Sequence, residues 1–178
     1  MKATIWTMIC ILIASLFLFT ACGKNSNANK DTKNKNTTSM ENPVVATDSE
    51  AGFATLGLTI TAPKGGENVE YSVIDKTVAQ IKFDLNGAPY TFRGAETTED
   101  ISGIYEEFED EIIKFEVAVP GAAPTTQVTV KTTVNQGKLA TWQWSQAKYS
   151  LYTPNKIEDE TMKAITTELA ISTCQTVE

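Results

Sequence analysis

The chain has no histidine, a single arginine (Arg93) and three cysteines among 178 residues. Without histidine there can be no Ser–His or Cys–His pair to activate a nucleophile, and no histidine-bearing metal site. The cysteines cannot brace a fold either. Cys10 lies inside an apolar N-terminal run, Cys22 just beyond it, and Cys174 alone near the far end. The body of the chain therefore has no internal disulfide and must be held by its own core. Positive charge is also scarce. From Asp48 onward ten basic residues face twenty acidic ones, a net of −10. Such a surface is repelled by nucleic acid and anionic bilayers, and nucleic acid is not an expected partner.

One long apolar run is present. Lys2 precedes Ile5 to Phe19, and the run ends in Phe19-Thr20-Ala21-Cys22-Gly23. A basic start, an apolar stretch and small residues directly before a cysteine resemble a bacterial lipoprotein export signal. Ala21 and Thr20 fit that pattern, and Phe19 departs from its usual leucine. The resemblance implies a signal peptide over residues 1–21 and a lipid on the Cys22 sulfur, which makes the membrane a partner. Two acyl chains suffice for stable anchoring, at about 0.8 kcal/mol per buried methylene. An uncleaved anchor helix and plain secretory cleavage are the competing arrangements, and all three place the body outside the cytoplasm.

Residues 22–47 are rich in Asn, Lys, Thr and Ser, with nothing strongly apolar before Val44 and Val45 except Met40. Such a stretch cannot offset the entropy of ordering, so the composition predicts a disordered tether with a reach of about 25–30 Å. It is basic overall, with four lysines against Asp31 and Glu41. Asn- and Lys-rich tethers of this kind are typical of lipoproteins from Gram-positive bacteria.

Residues 48–178 form one domain in this reading. A short helix is expected from Asp48 to Leu56, capped by Thr47 or Asp48 and stopped at Gly57. Strands are expected at Leu58–Thr61, Val69–Ile74, Thr77–Leu85, Tyr90–Arg93, Ile112–Val119, around Val128–Thr133, Leu139–Trp144 and Lys148–Tyr152. Asn86-Gly87 is the strongest hairpin signal. Asp100 to Glu107 reads as a loose turn or short helix interrupted by Gly103. After Pro154 the period becomes helical, with Met162, Ile165 and Leu169 on one stripe. The fold class is α+β: an antiparallel, meander-like sheet of about six or seven strands covered by a C-terminal helix, with a β-sandwich as the alternative.

Several blocks look familiar together. They are Ala62-Pro63, Val69-Glu70-Tyr71, Ile81-Lys82-Phe83, Tyr90-Thr91-Phe92-Arg93, Ile101-Ser102-Gly103-Ile104-Tyr105, Ala140-Thr141-Trp142, Tyr149-Ser150-Leu151 and the Met162–Leu169 stretch. The set resembles uncharacterised Gram-positive surface lipoproteins. Its tryptophan strand, Tyr-Ser-Leu strand and final helix are similar to a domain of unknown function in extracytoplasmic parts of envelope and sporulation proteins. The resemblance implies a location and a sheet-plus-helix domain, and carries over no site except Cys22.

Five aromatics offer a contact surface: Tyr105, Trp142, Trp144, Tyr149 and Tyr152. Rings with a polar tip suit sugar or peptide recognition, but the first expectation for one or both tryptophans is a core under the helix. Glu106, Glu107, Glu109, Asp110 and Glu111 crowd carboxylates that could hold a hard cation weakly. They lack calcium-loop spacing and read as a solvated acidic loop. Ser145 and Lys148 match Ser-x-x-Lys, but in a turn and without the companion motifs, so the match reads as chance. Arg93 is expected to pair with a carboxylate, and Cys174 to be an inert half-buried thiol.

The expectation is a membrane-tethered extracytoplasmic binding domain without catalysis or cofactor, its partner a surface protein or small ligand. An accessory structural role in envelope or sporulation machinery is the alternative, and a carboxylate-dependent hydrolase a distant third. Replacing Cys22 by Ala should move the protein from the membrane fraction to the medium or leave it unprocessed. Unchanged fractionation, with no acyl group on the wild-type sulfur by mass spectrometry, would rule out the lipid anchor.

Overall fold

The computed structural model describes residues 43–121 and 125–174. The segments expected to be an export signal and, for nearly all of its length, a tether lie outside the described residues. Among the described residues no helix is long and apolar enough to cross a membrane.

Eight strands build a single antiparallel sheet: β1 (Val44–Thr47), β2 (Glu67–Ile74), β3 (Val78–Leu85), β4 (Ala88–Glu96), β5 (Phe108–Val117), β6 (Thr126–Thr133), β7 (Lys138–Trp144) and β8 (Ala147–Thr153). One α-helix, α1 (Asp159–Thr173), and a 3-10 helix over Glu50–Leu56 complete the domain. The order across the sheet is β1-β2-β3-β4-β8-β7-β6-β5. Two four-stranded meanders are thus joined through the β4–β8 ladder, and the sheet stays open. The α+β class holds. The strand number exceeds the expected six or seven, and the sandwich alternative fails because all eight strands share one sheet.

Turn chemistry sets the hairpins. Asn86 and Gly87 have φ of 52° and 77°, and Asp75 and Lys76 have 48° and 62°. Two successive positive φ values match the twist of the flanking strands, which is why tight hairpins use them. Gln136 and Ser145, also at positive φ, lie in the last two turns.

The alternation in each strand delivers one apolar face. Ile81, Phe83, Tyr90, Phe92, Tyr149, Leu151, Ala140, Trp142, Val128 and Val130 are buried on it. Cross-strand register places Ile81 opposite Phe92, Phe92 opposite Leu151, and Trp142 opposite Tyr149. The 3-10 helix covers β2 and β3 with Phe53, and α1 packs on β7 and β5 with Met162, Ile165 and Leu169 buried. The rings of Phe92, Trp142 and Tyr149 stack with centroids 5.5–6.4 Å apart. The Trp142 indole N–H donates to Thr173 Oγ1 at 3.1 Å, tying the last turn of α1 to the sheet. At the other end Lys138 pairs with Asp159. That carboxylate also sits in the first helical turn, where the backbone dipole favours negative charge.

Four expectations are corrected. β1 occupies Val44–Thr47, inside the segment read as tether, because its pairing with β2 rescues a stretch whose valines stay exposed. Leu58–Thr61 is not a strand. Leu58 and Ile60 are buried as the alternation suggests, but the segment lies against the core without joining a ladder. Of the two forms expected for Asp100 to Glu107, loose turn or short helix, the structure has only bends and no helix. The acidic run enters β5 at Phe108 rather than looping, with a bulge between Phe108 and Ile112. The 3-10 helix is present one or two residues later than expected, capped by Ser49, whose hydroxyl accepts from the Ala51 N–H, and ended by Gly57 at φ 67°.

Trp142→Ala removes the centre of the ring stack and the tie to Thr173. It should cost about 3–5 kcal/mol in urea unfolding; a loss below about 1 kcal/mol would show that the stack does not carry the core.

Candidate functional site

Because β4 pairs with β8, the chain must pass over β8, β7 and β6 to reach β5 at the far edge. Residues 97–107 make this crossing on the face opposite the core, as a strap without regular structure. Side chains that point away from the core on β4 and β8 hold it. Arg93 donates from Nη1 to the carbonyls of Ile101 (3.0 Å) and Ser102 (2.8 Å), and from Nε to Gln80 Oε1 (2.9 Å). Gln80 in turn donates to Ser72 Oγ at 3.0 Å. Gly103 crosses directly over the guanidinium at φ 65°, and a Cβ there would lie 2.2 Å from Nη1. Lys148 donates to the carbonyls of Thr98 and Glu99. Within the strap, Asp100 accepts from the backbone N–H and the hydroxyl of Ser102 at 2.9 and 3.1 Å. At its exit Glu106 accepts from Tyr152 and from Asn135, both at 2.9 Å.

Arg93 therefore serves a different purpose from the expected carboxylate pair. Among the described residues its hydrogen-bond partners are an amide and two main-chain carbonyls. Burial lowers its pKa, while Tyr105 and Asp100 pull it back up. The planar guanidinium, with donors spread around its edge, suits a site where successive carbonyls converge.

The strap divides the outer face into two recesses. One, of about 480 Å³, lies between the strap and β6, β7 and β8. The other, of about 510 Å³, lies on the β3–β4 side and is bordered by Arg93, Gly103 and Tyr105. The first has the more defined floor. Thr129 faces Thr141 across the β6–β7 ladder, and Thr141 faces Ser150 across β7–β8. Gln143 and Lys148 sit side by side next to them. Ile101, Leu139 and Phe108 supply apolar walls, and the Lys131 ammonium lies 5.4 Å from the Phe108 ring centroid.

The five aromatics singled out in the sequence do not form one surface. Trp142 and Tyr149 are buried in the core, and Trp144 is half-buried against its margin. These three share the inner face, whereas Tyr152 lies on the outer face under the strap's exit. Tyr105, at 98% exposure, stands free on the strap. Trp142 and Tyr149 are thus unavailable for contact, because the helix claims the face they occupy.

The acidic residues are also dispersed. Glu106 is held by Tyr152 and Asn135, and Glu109 accepts from Gln136 at 2.8 Å. Glu107, Asp110 and Glu111 stay exposed. Among the described residues no group of three potential ligands converges on a metal position. Ser145 sits in the β7–β8 turn at φ 53°, and the Lys148 amine is engaged with strap carbonyls. Cys174 is buried, and burial raises its thiol pKa against a smaller lowering by Thr173. A thiol kept protonated is a poor nucleophile.

The groove residues were only partly visible in the sequence. Thr129 and Lys131 belong to the non-core set of β6 by simple alternation, but their neighbours on β7 and β8 follow from register. No family model, no curated protein and no solved structure matches this chain.

Hydrogen bonds from Asn135, Tyr152 and Thr133 hold the Glu106 carboxyl below its ordinary value of 4.5, and burial opposes them. Burial first, then Glu106, pushes the Tyr152 phenol up to about 12. A lowered carboxylate pKa stabilises the fold above the unfolded value and ceases to do so as pH falls through the folded one. A raised phenol pKa stabilises below its unfolded value and is lost as pH rises through about 12. The denaturation midpoint of the wild type should exceed that of Glu106→Gln near neutrality, and the two should converge in acid. Equal midpoints from pH 3 to 8 would show that this contact does not anchor the strap.

Proposed function

We propose that this chain is a lipid-anchored, extracytoplasmic binding protein of a Gram-positive envelope, without catalytic activity, and that it holds a small ligand in the groove beside the strap. The sequence supports the location through Lys2, the apolar run and the Ala21-Cys22 junction. The observation that carries the binding reading is the groove itself. It is a recess of about 480 Å³, inside the ~300–1,000 Å³ range of small-molecule sites, with a polar floor on strands and one wall fixed by Arg93 and Lys148. A site whose floor is a paired sheet and whose wall is hydrogen-bonded at several points is preorganised, and this lowers the cost of ordering on binding.

The fully exposed Tyr105 favours a second reading, an accessory lipoprotein that docks a protein of envelope or sporulation machinery through the strap. Native mass spectrometry after incubation of the full chain with an aqueous envelope extract separates the two. On the groove reading a small-molecule adduct forms, is lost in Thr141→Trp, which fills the recess, and persists in Tyr105→Ala. Absence of any adduct on the wild type, or an adduct indifferent to Thr141→Trp, would overturn it.

A further inference from the structure

The outer-face groove has features that define a ligand class. Its floor is the face of a sheet, so the backbone donors and acceptors beneath it are already spent in the β6–β7–β8 ladders. A peptide binding by strand addition needs a free edge and finds none on this floor. Recognition here falls to side chains, and the uncharged polar ones are three hydroxyls, Thr129, Thr141 and Ser150, and two amides, Gln127 and Gln143, the latter already donating to the Ser145 carbonyl at 3.1 Å. Directly opposed residues on neighbouring strands have Cβ atoms about 4.5–5.5 Å apart, so the three hydroxyl-bearing side chains form a continuous row across the strands. Each hydroxyl can donate once and accept twice. Among the described residues no protein group is hydrogen-bonded to these three hydroxyls, and Ser150 is buried beneath the groove.

Charge in the groove is balanced. Lys131 and Lys148 are matched in number by Glu99 and Asp100, so the lining's own formal charge is zero. The walls at Ile101, Leu139 and Phe108 are apolar. The combination calls for a molecule that is uncharged, dense in hydroxyls and still carries C–H faces. A sugar ring meets all three requirements. A dicarboxylate is charged and lacks the hydroxyls, and an aliphatic ligand leaves the polar floor without partners.

We propose that the groove is a saccharide site for a mono- or disaccharide unit, with Thr129, Thr141 and Ser150 reading ring hydroxyls and the Phe108 side bounding a C–H face. This rests on the groove being the binding site, and it adds the ligand's chemistry.

The test is calorimetric titration of the full chain, in a sugar-free detergent, with cellobiose, maltose and di-N-acetylchitobiose. Citrate and a blocked alanine tripeptide serve as comparators. At least one disaccharide should bind, with the comparators at least tenfold weaker. Thr141→Val, which keeps the shape and deletes the hydroxyl, should weaken that disaccharide about tenfold, and Ser150→Ala should weaken it similarly, with thermal midpoints confirming both folds. Binding unaffected by either substitution would place the sugar elsewhere and overturn the assignment. Comparators that bind as well as the disaccharides would overturn the class. No disaccharide binding, with an envelope adduct that Thr141→Trp still abolishes, would reject saccharide and leave the groove reading standing. Loss of both would reject both.

Discussion

The β4–β8 ladder is the constraint from which the rest of this structure follows. It joins two meanders into one sheet and puts β5 at the far edge from the end of β4. The chain must then return across a sheet face, and the core face is already taken by α1 and the 3-10 helix. The strap over the outer face is what remains. Everything distinctive on that face follows from it, including the half-buried guanidinium, the crossing glycine and the division into two recesses.

An irregular strap packed on a sheet has main-chain carbonyls that strand pairing cannot satisfy, and a buried carbonyl without a partner is costly. The chain meets this with its long cationic side chains on the outer face. Arg93 takes two carbonyls and Lys148 two more, while Glu106 reaches down to Tyr152. In a domain with so strong an acidic excess, two of its few cations serve as hydrogen-bond donors to backbone. Gly103 is required by geometry: with φ at 65° and the guanidinium beneath it, a side chain has neither a comfortable backbone nor room.

The two faces divide the labour by chemistry. The inner face carries the aromatic stack and the helix, and there tyrosine and tryptophan act as core residues with polar tips. The Trp142 N–H finds Thr173, and burial pushes Tyr149 up to about 12. The outer face carries hydroxyls, amides and paired charges. An open sheet covered on one face and wet on the other is the normal antiparallel arrangement. Here the wet side is partly roofed, and a roofed polar sheet face is a recess with a shape.

The sequence alone settled what depends on local rules. Alternation predicted most strands, positive-φ dipeptides located the hairpins, and the 3.6-residue period marked α1 with its buried stripe. The proposed export signal and the proposed lipid on Cys22 rest on linear order alone. The sequence did not show which strands are neighbours, because period-2 patterning says which side of a strand is apolar and nothing about its ladder partner. That is why Leu58–Thr61 looked like a strand, Val44–Thr47 did not, and Trp142 and Tyr149 looked available for contact. The row from Thr129 through Thr141 to Ser150 joins residues from three strands, and Arg93 meets the strap at Ile101 and Ser102 through main-chain atoms that no side-chain pattern encodes. Those contacts belong to register and crossover, which tertiary packing alone decides.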